Sequence, residues 1–114
     1  MPIVPMDVLF FKTESGNEPV KEWLREFNPI DKKVIGEDIR TIQIGWPLGM
    51  PLVRKMDTDL WEIRINISFG IARIFFTVSG NTMLLLHGFV KKSKNTPKPD
   101  LHLAKERLKQ SRRS

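Results

Sequence analysis

With 114 residues, 40% of them hydrophobic and 28% charged, the chain is long enough for one core and too short for two. A domain of this size buries roughly two-thirds of its unfolded surface and needs no covalent staples. The absence of cysteine excludes disulfides and thiolate metal sites, and two histidines, His87 and His102, argue against a dedicated metal centre. Net charge is +6, but residues 1–90 carry ten Lys/Arg against eleven Asp/Glu, and residues 91–114 carry nine against two. The whole basic excess therefore lies in the last fifth of the chain, which points to an anionic partner: nucleic acid, an acidic protein or a membrane surface. The start, MPIVP, lacks the basic and long apolar regions of a signal peptide, and no stretch approaches the ~20 apolar residues of a membrane span. A soluble, cytoplasmic protein is expected.

Residues 8–12, VLFFK, read as a strand, and SGN turns the chain. Asn17 is a candidate N-cap, with Pro19 tolerated in the first helical turn. Val20, Trp23, Leu24 and Phe27 then recur at i, i+3, i+4 and i+7, one apolar helix face. Asn28-Pro29 stops this helix. Asp31 is a candidate cap for a second, whose buried face is Ile35, Ile39 and Ile42, and GWPLGMP after it reads as a loop. In residues 60–67, LWEIRINI, Trp61, Ile63, Ile65 and Ile67 alternate with Glu62, Arg64 and Asn66, the pattern of a half-buried strand. Residues 71–78 form the next strand and SGN at 79–81 a hairpin turn. Residues 82–90, nearly all apolar, read as a central strand. A last helix begins near Thr96-Pro97, with Leu101, Ala104 and Leu108 on one face. The order β-α-α-β-β-β-α describes a single α+β domain over 1–114: a mainly antiparallel sheet of about four strands, with two N-terminal helices and a C-terminal helix packed on it.

The alternation in residues 61–67 places Glu62, Arg64 and Asn66 on the sheet face opposite the isoleucines. Arg73 shares a face with Ile71, Phe75 and Thr77, and pairing can bring it near Arg64, although the register is open. The third strand ends in Lys91, Lys92 and Lys94. Arginine donates paired hydrogen bonds that match phosphate, and a crowded lysine loses its proton more readily, so the cluster suits a polyphosphate. The helix start is a weaker phosphate site because Pro97 and Pro99 lack N–H groups. No GxxxxGK[ST] loop and no acidic cluster for Mg²⁺ is present, which disfavours nucleotide hydrolysis and metal-dependent nuclease chemistry. Structural readings stand beside these: Arg64 paired with Glu62, Trp23 and Trp61 as core, and His87 as a satisfied core histidine.

Three segments, NEPVKEWL, VRKMDTDLWEIRI and LLLHGFVKKSKNTPKPDLHLAKERL, resemble the phage-derived, HigB-like branch of the RelE/HigB toxin superfamily, in order and over nearly the whole chain. The resemblance implies a RelE-like fold and the toxin of a type II toxin–antitoxin module. Such a toxin is a ribosome-dependent endoribonuclease that cleaves mRNA without metal or cofactor and is neutralised by a HigA-like helix-turn-helix antitoxin. Carried over by position, Arg64, Arg73, Lys91 and Lys92 are the candidate catalytic residues. Lys94 and Lys55 are candidates to hold RNA, Phe89 to stack on a base, and Glu62 to orient Arg64 or act as base. Many RelE-type toxins use a tyrosine near the C-terminus; this chain has none, leaving a lysine or His87 as the acid. The rival expectations are a basic nucleic-acid-binding or partner-binding protein without catalysis, and a degenerate toxin acting only within a repressor complex.

Overall fold

A computed structural model describes residues 4–91 and 97–113. They form an α+β fold of five strands and three helices: β1 (Asp7–Phe10), α1 (Pro19–Arg25), α2 (Pro29–Gly45), β2 (Val53–Asp57), β3 (Leu60–Ile67), β4 (Gly70–Ser79), β5 (Thr82–Lys91) and α3 (Lys98–Arg112). The strands lie side by side in the order β1-β5-β4-β3-β2. All neighbours are antiparallel except β1 and β5, which run parallel with Asp7 opposite Thr82. The strand missing from the expected order is β2. Its sequence, VRKMD, has one buried residue, Val53, and so lacks the alternation that marks a half-buried strand.

Helices lie on both faces of the sheet. On the first face, Val20 of α1 and Ile35, Ile39 and Ile42 of α2 pack on Val53, Ile63, Ile65, Ala72, Ile74, Phe76, Met83 and Leu85. On the second, Ala104 and Leu108 of α3 pack on Phe11, Leu60, Phe75 and Leu86, covering part of the sheet. Ion pairs Lys105–Asp57 (2.8 Å) and Arg112–Asp59 (2.9 Å) tie α3 to the β2–β3 hairpin. Gly88 of β5 admits α1 closely, for a Cβ there would stand 2.4 Å from the Trp23 ring. In the β4–β5 hairpin the two-residue turn Gly80-Asn81 takes φ +58° at Gly80, a conformation that glycine adopts at little cost.

The cap of α2 is Asn28, not Asp31. The Asn28 side chain accepts from the Asp31 N–H at 2.8 Å, and Pro29 occupies the first turn. This frees the buried Asp31 carboxylate to accept from the Ser68 N–H (3.1 Å), the Ser68 hydroxyl (2.8 Å) and the Asn28 amide (3.0 Å), clasping the β3–β4 turn to α2. Burial pushes this carboxyl up, but the Ser68 and Asn28 hydrogen bonds outweigh it and leave it below the ordinary 3.8. The folded state therefore favours the carboxylate, and its contribution is present above pH 3.8 and lost as pH falls through the lower folded value. In thermal melts from pH 6 down to pH 2, Asp31→Asn is expected to melt several degrees lower than wild type at neutral pH. It should also show a shallower acid decline. Parallel curves would show that the clasp is not what titrates.

Candidate nucleic-acid site on the second sheet face

Register decides which side chains meet. In β3, Glu62, Arg64 and Asn66 turn away from α1 and α2. Cross-strand pairing puts Glu62 opposite Phe75, Arg64 opposite Arg73 and Asn66 opposite Ile71. On the far side of β4, Phe75 pairs with His87, Arg73 with Phe89 and Ile71 with Lys91. The register shifts at Phe75/Phe76, so that Leu86 is an extra residue in β5. This bulge puts Leu86 and His87 on the same face and carries Phe89 and Lys91 onto the arginine side. In β2, Arg54 lies opposite Glu62 and completes the row.

At the centre is a buried ion pair. Arg73 Nη1 donates to Glu62 Oε1 at 2.6 Å, with the two side chains 3% and 0% exposed. Arg64, directly opposite Arg73, carries the same charge, so Arg73 reaches diagonally to the carboxylate. Glu62 thus orients Arg73, not Arg64 as the sequence suggested. Among the described residues, Glu62 Oε2 and Arg73 Nε have no hydrogen-bond partner. Lys91, also buried, is held below the usual lysine value of 10.5 by desolvation first and then by the charges of Arg73, Arg64 and Arg54; Glu62 works the other way. Four cations therefore surround one carboxylate.

Arg64 is half-buried, and its side chain makes no hydrogen bond or ion pair among the described residues. With Asn66 and Ile71 it lines a hollow of about 390 Å³ at the sheet edge, closed by Pro51 and Leu52 and by Val34 and Asp38 of α2. Burial, and then repulsion from Glu37, raise the Asp38 carboxyl above its ordinary 3.8.

The structure sorts the remaining candidates. Lys55 is not brought to the site. It pairs with Trp61 on the first face, its amine 5.9 Å from that ring, and Arg54 stands where Lys55 was expected. Alternation with the buried Val53 is the signal that separates the two. Phe89 lies on the correct face, but its ring is engaged by Phe75 (5.6 Å) and His87 (5.7 Å) rather than free as a platform. His87 Nε2 meets Asp100 Oδ1 at 2.6 Å, and Arg107 Nη1 lies 3.5 Å from Nδ1 while donating to the Leu86 carbonyl at 2.8 Å. A hydrogen on Nε2 and an open lone pair on Nδ1 would satisfy both contacts. The histidine is thus an anchor for α3, through two helix residues the sequence reading did not single out. Lys92 and Lys94 lie outside the described residues.

Among the described residues, no helix is long and apolar enough to cross a membrane, and no three His, Cys, Asp or Glu side chains are placed to hold a metal ion. Comparison with curated proteins returns no match. A family profile described as "Phage derived protein Gp49-like" matches residues 22–109, from the middle of α1 to the last turn of α3, and so includes every residue of the cationic face. By that match, the chain belongs to the phage-derived Gp49-like family.

Proposed function

We propose that this protein is the toxin of a type II toxin–antitoxin module, a metal-independent endoribonuclease of the RelE/HigB type that cleaves mRNA on the ribosome. The carrying observation is the ring of Arg54, Arg64, Arg73 and Lys91 around the single carboxylate of Glu62. So many cations on one small surface favour a polyanion, and membership of a phage-derived family is compatible with a toxin-like role. The resemblance to HigB toxins supplies the partners: a HigA-like helix-turn-helix antitoxin, the ribosome and mRNA.

In this reading the half-exposed Arg64 grips the scissile phosphate through paired N–H groups. Arg73, locked by Glu62, adds fixed positive charge from beneath, where it stabilises the extra negative charge of the five-coordinate phosphorus. Lys91 accepts the 2′-hydroxyl proton. The 2′-oxygen then bonds to phosphorus as the P–O5′ bond breaks, and the 5′-oxygen takes a proton from solvent, giving a 2′,3′-cyclic phosphate and a 5′-hydroxyl. Lys91 is only 5% exposed, so its amine must become accessible as RNA docks.

The test is primer extension on transcripts from bacteria in which the protein is induced. Wild type is expected to give discrete cleavage. Arg64→Ala is expected to reduce it by about 10²-fold, the usual effect of one lost oxyanion donor. Lys55→Ala, on the other face, should cleave like wild type. Uncut transcripts during wild-type expression would overturn the reading. A second reading draws on the burial of Glu62, Arg73 and Lys91: these three are structural, and the face binds nucleic acid or an acidic partner without cleaving. It calls for affinity that falls steeply with salt, and for no cut on translating ribosomes.

A further inference from the structure

The hollow beside Arg64 has a property that phosphate binding does not use. Its floor is apolar, with Val34, Leu52 and Ile71, and its walls carry one guanidinium, Arg64, and one carboxylate, Asp38. No ion pair joins Asp38 to Arg64 among the described residues, and the neighbouring Glu37 repels the Asp38 carboxylate. The two are therefore held apart across the space, each with unused hydrogen-bonding capacity. A volume of about 390 Å³, mostly apolar with a few convergent polar groups, is the make-up of a small-molecule subsite.

We propose that this hollow is a nucleobase pocket selective for guanine, with Asp38 reading the base and Arg64 holding the adjoining phosphate. Guanine alone among the four bases presents two neighbouring donors, N1–H and the N2 amino group, which a carboxylate accepts together. Adenine offers an acceptor at N1 and meets Asp38 with a lone pair. Uracil has one donor, at N3. Bases of single-stranded RNA are read along this edge, with their faces against apolar or aromatic side chains, and Val34, Leu52 and Ile71 supply such a surface. The carboxylate comes from α2, so specificity and phosphate contact arise from opposite sides of one edge of the sheet. The pocket rests on the RNA reading above and extends it to base preference.

The test titrates the protein into fluorescent 2′-O-methyl hexanucleotides identical except for one guanine, inosine or adenine. The methyl group removes the nucleophile, so only binding is read. Guanine is expected to bind at least about tenfold tighter than adenine, with inosine, which lacks the N2 amino group, in between. Asp38→Asn should abolish the difference, because its amide can donate to adenine N1 where the carboxylate cannot, and Asp38→Ala should abolish it by lowering guanine affinity to that of adenine. Thermal melts confirm that each variant is folded. Equal binding of guanine and adenine by wild type, or discrimination that survives in Asp38→Asn, overturns the proposal. Discrimination without cleavage in cells retains the pocket and removes the nuclease reading; cleavage without discrimination does the reverse.

Discussion

Glu62→Ala is expected to destabilise the protein by about 3–5 kcal/mol, because it leaves the Arg73 guanidinium buried with no countercharge. For a chain of this length that corresponds to a fall in Tm of about 10–20 °C. The pair is completely withdrawn from water, and one oxygen and one nitrogen of it already lack partners, so little remains to compensate the lost contact. The same reasoning yields an asymmetry. Removing both charges together, as in Glu62→Leu with Arg73→Met, eliminates both desolvation costs and is expected to restore wild-type stability to within about 2 kcal/mol, or to exceed it. Urea unfolding of the two single variants and the double variant closes the cycle. A loss below about 1 kcal/mol for Glu62→Ala would mean that water reaches the pair in solution. Restored stability with abolished cleavage in the double variant would assign the pair to function rather than to folding.

Lys91→Ala is expected to lower RNA cleavage by about 10²- to 10⁴-fold, the usual contribution of a positioned proton acceptor. Lys91→Arg should not rescue it, since a guanidinium keeps the charge but does not give up its proton. Desolvation and the neighbouring arginines hold the Lys91 amine below 10.5, so the wild-type rate should climb with pH and level off before that value. The directions of the perturbations follow from the charges. Arg54→Ala or Arg64→Ala removes a repelling cation and moves the rising limb to higher pH. Glu62→Gln removes the charge that favours the ammonium and moves it lower. The slope of stability with pH has the same sign as for the acidic clasp at Asp31, because folding lowers both pKa values, although here folding disfavours the charged form. Unfolding allows Lys91 to bind its proton more tightly, so this residue's contribution improves as pH rises from the folded value toward 10.5. A limb that stays in place in every charge variant would show that another group takes the proton.

Much of the fold was legible because helices and strands repeat their burial with different periods. Val20, Trp23, Leu24 and Phe27, the isoleucines of α2 and the alternation in β3 identify their elements without tertiary information. What escaped was whatever depends on a neighbour. β2 earns its place as a strand by pairing with β3, while most of its side chains face water. Asn28 and Asp31 are both good capping residues, and only the distant Ser68 decides which carboxylate or amide does what. The site follows the same rule. That Arg64 and Arg73 share a face was open from the sequence, and the pairing of Glu62 with Arg73 follows from their diagonal placement across two strands. The inward turn of Lys91 depends on the bulge at Leu86, which no local pattern announces in a run of consecutive apolar residues. Composition pointed toward an anionic partner, and register decided which cations share a face.

The parallel pairing of β1 with β5 also governs when the molecule can form. β5 is central, flanked by β1 and β4, and the residue it aligns with Asp7 is Thr82. During synthesis the N-terminal strand therefore waits, without its hydrogen-bonding partner, until most of the polypeptide has emerged. Such non-local closure slows folding relative to a helical bundle of equal stability. A chain assembled this way completes its cationic face only after β5 joins, since Arg73 and Lys91 stand on adjacent strands brought together at that step. The nascent chain therefore carries no assembled cationic face through most of its own translation.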